Sequence, residues 1–535
     1  MGVNEIDSES KKSIETLEMS KSKGKKKNKK KEDNKERKLR PRMSNIRYSV
    51  QIERELGESS EGRQLLIKND SKSLKRRWAA LGLFCALNST QCCVWNTWGP
   101  IGKSVIQAFP NWNKNSLALI SNWGCITYLT CCLPCCWLLN ETDLSTPLKI
   151  AAVLSTVATS LRCISTRTSI FTTTAHMAAI INGLSGVIIG PATALVSAVW
   201  FPTGERTTAT GISSASSQIG MALSYILGPA LVGLSKNNNS PLSSRSSIPS
   251  LRTVQITGPS LNFTDDNNNS SRLSGISVYQ INLQDQIMSL MRIEFVIQCM
   301  VLIGILACFP KQSQISNTNI QVSTLGLSES LIKITRNKNM WFLCLSAALT
   351  QGMTSPWLAM ITMAFGTITQ EESDKLAFWT VVLSSILCLV TSRIMDIVQG
   401  HLKTAISILL IISSMMFLWI ILLDCKVLVF HKHKLYAAVI LGIATNWSTS
   451  ALYLELASEI SFPISEAIVG GYMIFLSNIV GMIFYLSYCI PGMGGRWSTC
   501  LVFANISISA IFIICVKEEY NRTKRESQMI PQNNS

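Results

Sequence analysis

The sequence predicts an all-α polytopic membrane protein, with twelve transmembrane helices arranged as two six-helix bundles. Hydrophobic residues make up 47% of the 535 positions and charged residues only 15%, too few charges for a soluble chain of several domains. The polar residues are also segregated into an amino-terminal arm, one middle segment and a short tail, and runs of membrane-spanning length fill the rest.

In chain order, residues 1–77 form a basic arm, 78–310 a first six-helix bundle, 311–339 a connector, 340–516 a second bundle and 517–535 a tail. The spans of the first bundle are Trp78–Trp98, Ser116–Leu139, Leu148–Thr168, Ala175–Trp200, Thr208–Leu234 and Met291–Phe309. Those of the second are Met340–Ile361, Lys375–Ile397, Thr404–Leu423, Leu435–Ile460, Ile464–Cys489 and Thr499–Val516. Each is a mostly apolar run long enough, at 1.5 Å per residue, to approach the roughly 30 Å hydrocarbon thickness.

The net charge of +17 sits largely in the arm, in the run Lys21 to Lys31 and in Lys35 to Arg42. Beside a membrane domain such a run reads as a disordered arm attracted to anionic lipid, not as a nucleic-acid surface. The positive-inside rule keeps the arm cytosolic, and an even number of spans returns the tail, with Lys517, Arg522, Lys524 and Arg525, to the same side. The segment 235–290 then faces a lumen or the exterior. It is rich in Ser and Asn, reads as mostly disordered, and carries glycosylation sequons at Asn238, Asn262, Asn268 and Asn269. In the arm, Glu61 with Leu65 and Leu66 fits an acidic dileucine signal, which clathrin adaptors read in extended chain.

The first span closes on Gln91-Cys-Cys-Val-Trp-Asn-Thr-Trp-Gly-Pro-Ile101, with Gly99-Pro100 expected to break the helix. Indoles and amides at that depth need partners, so they either face a cavity or mark the membrane interface. Trp95, Asn96 and Trp98 are therefore candidate solute contacts, joined by Gln218 in span five, Asn446 in span ten and Asn478 in span eleven. For the amides the alternative is a bond that only joins helices.

Charges at the span ends suggest a gate. Arg393 and Asp396 lie at the end of span eight, and Glu205 with Arg206 joins spans four and five, so a carboxylate beside a basic side chain can latch the bundles. Glu455 and Glu459, spaced i,i+4, share a helix face; they are either proton carriers or structural acids paired with Arg206 or Arg393. Cys131-Cys-Leu-Pro-Cys-Cys136 lacks a neighbouring histidine and reads as packing. With four histidines, and no nucleotide-binding, zinc-protease or serine-hydrolase motif, neither metal, cofactor nor enzyme is expected.

Two bundles of six are how the major facilitator fold is built, with solute near the midplane. Within it, Val94-Trp-Asn-Thr-Trp-Gly-Pro-Ile101 resembles solute carrier family 49, in its disrupted-in-renal-carcinoma subgroup. Ser160-Leu-Arg-Cys163, Val199-Trp-Phe201 with Glu205, Arg206 and Ala209, Tyr453 and Glu455 to Pro463, and Phe475 to Asn478 add to the likeness. The resemblance implies proton-driven export of a small organic solute, vitamin B6 (pyridoxine) foremost, from lysosomes or late endosomes; the plasma membrane is the alternative. It implies for the feline leukaemia virus receptor-related branch choline, ethanolamine or haem, with a first-helix Trp, matched by Trp95, and an eleventh-helix Gln, where this chain has Asn478. That branch's seventh-helix Tyr is replaced near Thr354, which weakens an aromatic cage for choline. A receptor or scaffold without transport is the competing class, built on the arm and the sequon-bearing loop.

Overall fold

The computed structural model describes residues 60–233, 266–310, 325–365, 368–487 and 496–529. The lysine-rich arm and the sequons at Asn238 and Asn262 lie outside the described residues. The first bundle is built from α1 (Ser60–Asn96), α2 (Trp98–Ala108), α3 (Lys114–Glu141), α4 (Ser145–Leu161), α5 (Thr168–Trp200), α6 (Arg206–Gly233) and α7 (Asp266–Cys308). The connector helix α8 (Leu327–Arg336) leads to α9 (Lys338–Ala359), the short α10 (Ile361–Ala364), α11 (Gln370–Val398) and α12 (Leu402–Asp424). Then come α13 (Lys432–Trp447), α14 (Ser450–Ser461), α15 (Glu466–Ser487), α16 (Arg496–Cys515) and the tail helix α17 (Asn521–Met529).

Counting α1 with α2 and α13 with α14 as single crossings gives twelve. Nine of the helices among the described residues are long and apolar enough to span a bilayer on composition alone. The other three crossings are α1 and α9, diluted by amides and hydroxyls, and α4, which has only 17 residues. Local chemistry sets several starts. The Asn113 side chain accepts from Ser116 N at 2.8 Å to cap α3, and Thr369 and Glu372 form a reciprocal capping box on α11. Pro134, Pro191, Pro229 and Pro356 sit inside helices, as bundle neighbours in a membrane permit.

Four boundaries differ from the sequence expectation. Gly99-Pro100 does not end the first crossing: Thr97 interrupts it and α2 continues to Ala108, because Pro100 falls in the first turn of α2, where no amide donor is needed. The third crossing stops at Leu161 instead of reaching Thr168. The sixth starts at Asp266 instead of near Met291, so Asn268 and Asn269 lie on helical backbone and not in a disordered loop. Glu61, Leu65 and Leu66 also lie on helical backbone where an extended signal was expected; helix formers such as Glu, Arg, Gln and Leu dominate that stretch. The side chains of these five residues are outside the described residues.

Each bundle has its own apolar core, and the two meet through small residues. In the first, Phe109, Trp112 and Phe171 pack with Trp98 near the ends of α2 and α5. Between bundles, α6 approaches α11 so closely that a side chain at Gly211 would lie 2.3 Å from Ser392 Oγ, and Cys388 Sγ contacts Gly211 O at 3.7 Å. On the other flank Cys132 and Cys136 of α3 point at Gly471 O and Ala467 O of α15, at 3.5 and 3.8 Å. The cysteine run is therefore helix-packing material, its thiols one turn apart.

Within the first bundle α1 and α6 meet backbone to backbone: a Cβ on Gly220 would lie 2.0 Å from Ser89 O. Gly220→Ala is expected to destabilise the purified protein by about 1–3 kcal/mol through overpacking. Thermal unfolding in detergent checks this, and an unchanged midpoint would contradict the crossing.

Candidate functional site

A small pocket opens within the first bundle among α1, α2, α3, the end of α4 and α5. It is lined by Trp95, Trp98, Ile120, Ser121, Gly124, Arg162, Ala179 and Asn182. The Trp95 ring occupies the space a side chain at position 124 would need: a Cβ there would sit 1.9 Å from Trp95 Cη2. Gly124 lies roughly 15 Å along α3 from its start, at 1.5 Å per residue. Trp98 is 1% exposed and is walled by Trp112 and Phe171, with ring centroids at 5.6 and 6.4 Å.

The other face of Trp98 carries the Arg162 guanidinium, 4.8 Å from the ring centroid. Arg162 Nη1 donates to Val94 O at 3.0 Å and to Glu294 Oε2 at 3.4 Å. The second carboxylate oxygen of Glu294 accepts from Thr97 Oγ1, the residue that separates α1 from α2. Arg162 and Glu294 are only 1% and 5% exposed as side chains. Arg162 caps the C-terminus of α4, where the helix dipole favours a cation. At 17 residues α4 is about 25 Å long, the short end of the range for a membrane crossing.

Three buried side-chain atoms of residues around that pocket have no hydrogen-bond partner among the described residues: Arg162 Nε, Trp98 Nε1 and Asn182 Oδ1. Asn182 is held by Gln91, whose Nε2 donates to Asn182 O at 3.2 Å, and Asn182 Nδ2 donates back to Gln91 O at 3.5 Å.

The remaining amides stand apart from this pocket. Asn96 Nδ2 donates to Ser224 Oγ at 2.8 Å and joins α1 to α6. Gln218 is buried with its Oε1 unpartnered among the described residues. Asn446 is 0% exposed with both side-chain polar atoms unpartnered in the same sense, beside Gln351, which donates to its carbonyl at 3.3 Å. Asn478 is half-buried and returns its amide to Ile474 O at 2.9 Å.

At the end of the bundles where the tail helix lies, the gate residues take partners other than those expected. Asp396 receives the backbone amides of Thr207 and Thr208 at 3.1 and 2.6 Å, so its anion sits on the N-terminus of α6 and not on a basic side chain. Glu205 pairs with Arg77 at 3.2 Å, Arg206 Nε donates to Phe201 O at 3.2 Å, and Arg393 is exposed. Where Arg206 or Arg393 was expected, Arg522 of α17 bonds both Glu455 and Glu459, and Glu466 at 3.3 Å as well. Thr523 N and Oγ1 complete the shell of Glu459 at 3.1 and 2.8 Å. Just before α17, Tyr520 OH accepts from Leu402 N at 3.2 Å and donates to Glu518; burial, then that bond, raises its pKa and keeps it neutral. The tail is thus part of the fold.

Sequence reasoning overlooked Ser121, Gly124, Asn182 and Glu294, and took Arg162 only as part of a matching string. Glu294 had a usable signal, being the sole acid in an apolar span.

The arrangement matches known proteins in fold and in sequence. A crystal structure of the major facilitator superfamily transporter FucP in its outward conformation superposes with a TM-score of 0.58, at 16% identity, covering 82% of this chain and 98% of that one. The chain therefore has the major facilitator fold. A solute carrier family 49 member 4 homolog from Xenopus tropicalis is 26% identical over 454 residues, 84% of this chain and 92% of the relative. The human choline/ethanolamine transporter FLVCR2 matches 30% of each chain at 24% identity. No protein-family model matches. In sequence the chain is thus similar to solute carrier family 49 over most of its length.

Removing one partner from a buried ion pair leaves the other uncompensated. Glu294→Ala and Arg522→Ala are each expected to lower unfolding free energy by about 3–5 kcal/mol, measured by denaturant or thermal unfolding of the purified protein. Wild-type stability in either variant would refute the corresponding network.

Proposed function

We propose that the protein is a proton-coupled secondary transporter that exports a small organic solute, with pyridoxine the leading substrate, from lysosomes or late endosomes by alternating access. The observation that carries this reading is the twelve-helix fold it shares with a major facilitator transporter, with Trp95 and Trp98 beside a small pocket in the first bundle. Aromatic walls with a few polar groups suit a small planar solute. Asn96, Gln218, Asn446 and Asn478 are proposed to meet the solute in other stages of the cycle. Both termini are taken as cytosolic, which puts the Asp396 contact with α6 and the Arg522 cluster at a cytosolic gate made by Glu205, Arg206, Arg393 and Asp396. Glu455 and Glu459 exchange the proton when Arg522 withdraws. Glu61, Leu65 and Leu66 engage clathrin adaptors, and Asn238, Asn262, Asn268 and Asn269 carry glycans in the lumen.

The relatives named for choline and ethanolamine suggest a second substrate class, and a transport-inactive receptor is the competing function. Against choline stands the guanidinium on the pocket wall, which disfavours a permanent cation.

The test is uptake of labelled pyridoxine by cells expressing the Leu65→Ala/Leu66→Ala protein. Surface display is expected, with uptake stimulated by external acid and lost in Trp95→Ala. A surface-displayed protein that gives no uptake at acidic pH would exclude pyridoxine. A function that survives Trp95→Ala and disappears on arm truncation would identify a receptor.

A further inference from the structure

We infer that the corner where α8 meets α9 is a binding site for the headgroup of an anionic phospholipid, whichever solute the chain carries.

Four cations converge on this corner. Lys333 and Arg336 lie in the last turn of α8, Lys338 opens α9 and Lys517 follows α16, and all four are exposed. Asn337 alone separates α8 from α9, and its side chain accepts from Asn339 N and Met340 N at 3.0 and 3.4 Å. Trp341 Nε1 donates to Thr335 O at 2.8 Å, which folds the first turn of α9 onto the last turn of α8. Asn339 then clamps the end of α16: its Nδ2 donates to Lys517 O and its Oδ1 accepts from Lys517 N, both at 2.7 Å. Lys338 and Lys517 are thus neighbours, although they stand at opposite ends of the second bundle in sequence.

The acids nearby do not cancel these charges. Among the described residues none of the four cations is in an ion pair, Glu329 one turn before Lys333 included. Glu518 is taken up by Tyr520 OH and by Lys403 N, and Glu519 accepts from Asn521 Nδ2 at 3.3 Å. The dipole of α8 accounts for Lys333 and Arg336 at its C-terminus. It does not account for Lys338, which stands at the start of α9, where the dipole favours an anion.

Apolar groups beside the cations identify the anion as a lipid. Ile332 is 53% exposed, and Trp341 and Phe342 are 42% and 39% exposed. Because α9 is a membrane crossing, its first turn lies at the edge of the hydrocarbon, where indoles settle and cations meet phosphate. Ile332 and Trp341 rest against acyl chain, the forked N–H groups of Arg336 grip the phosphate, and the lysines add point charges. On the side taken above as cytosolic, that leaflet carries the anionic lipids. The helix also packs against α3 and α15, one from each bundle, so a bound headgroup sits beside the seam between halves.

The test is binding of a fluorescent short-chain phosphatidylinositol bisphosphate to the full-length purified protein in detergent, read by anisotropy. Saturable binding is expected, weakened by salt and displaced by the unlabelled lipid but not by phosphatidylcholine. Lys333→Gln/Arg336→Gln/Lys338→Gln, at exposed positions, is expected to keep the wild-type unfolding midpoint and to weaken binding at least about tenfold. A charge-matched control in the arm, Lys29→Gln/Lys30→Gln/Lys31→Gln, is expected to leave affinity nearly unchanged. Ile332→Ser is expected to weaken the lipid and so separates a lost apolar contact from lost charge. Absence of saturable binding, unchanged affinity in the triple variant of the corner, or an equal loss in the arm control would each overturn the inference. Displacement by soluble inositol bisphosphate as effective as by the lipid would show a site for soluble polyanions and overturn the lipid assignment.

Discussion

The buried pair of Arg162 and Glu294 is the constraint on which the first bundle depends. Taking either ion out of water costs several kcal/mol, and the cost is offset only when both are well paired and their other atoms are bonded. Here one carboxylate oxygen meets Arg162 and the other meets Thr97, and Arg162 also bonds Val94 O. Because these residues come from the first crossing, the end of α4 and the middle of α7, satisfying the charges fixes three elements together. The arginine also covers the C-terminus of the short α4 and lies on the Trp98 ring.

The opposite end of the molecule manages its charges by different means. Asp396 neutralises itself on the amide-rich start of α6, a dipole contact that links the bundles without any cationic side chain. Glu455, Glu459 and Glu466 instead share the single guanidinium of Arg522, which α17 brings back from beyond the last crossing. One contact closes the seam between halves. The other ties the second half to the chain's own tail, so the two respond to different events: a rocking of the bundles and a departure of the tail.

Hydropathy made the twelve crossings legible, because apolar runs must be long to span a bilayer, and the paired bundles followed from their count. The first-crossing motif singled out Trp95 and Trp98 because indoles and amides at depth need partners, and both line the small pocket of the first bundle. What stayed hidden depended on contacts distant in sequence. Nothing near Asp396 shows that its partners are backbone amides, and nothing near Glu455 shows that its cation stands at position 522. Helix ends were misjudged where a proline fell in a first turn that needs no amide donor, as at Pro100, or where a polar sequence folds against apolar neighbours, as before Met291. Asn182 was invisible as a site residue because a single amide in an apolar helix looks the same whether it joins helices or waits for a solute.

The contact between Trp95 and Gly124 has an evolutionary consequence. A six-carbon ring edge occupies the volume of the absent side chain, so neither residue can change alone: a methyl at 124 expels the indole, and a small residue at 95 leaves a hole. Among relatives, a pocket of different size is expected to arise through paired replacement at both sites, which makes this pair a marker by which branches that carry different solutes can be sorted.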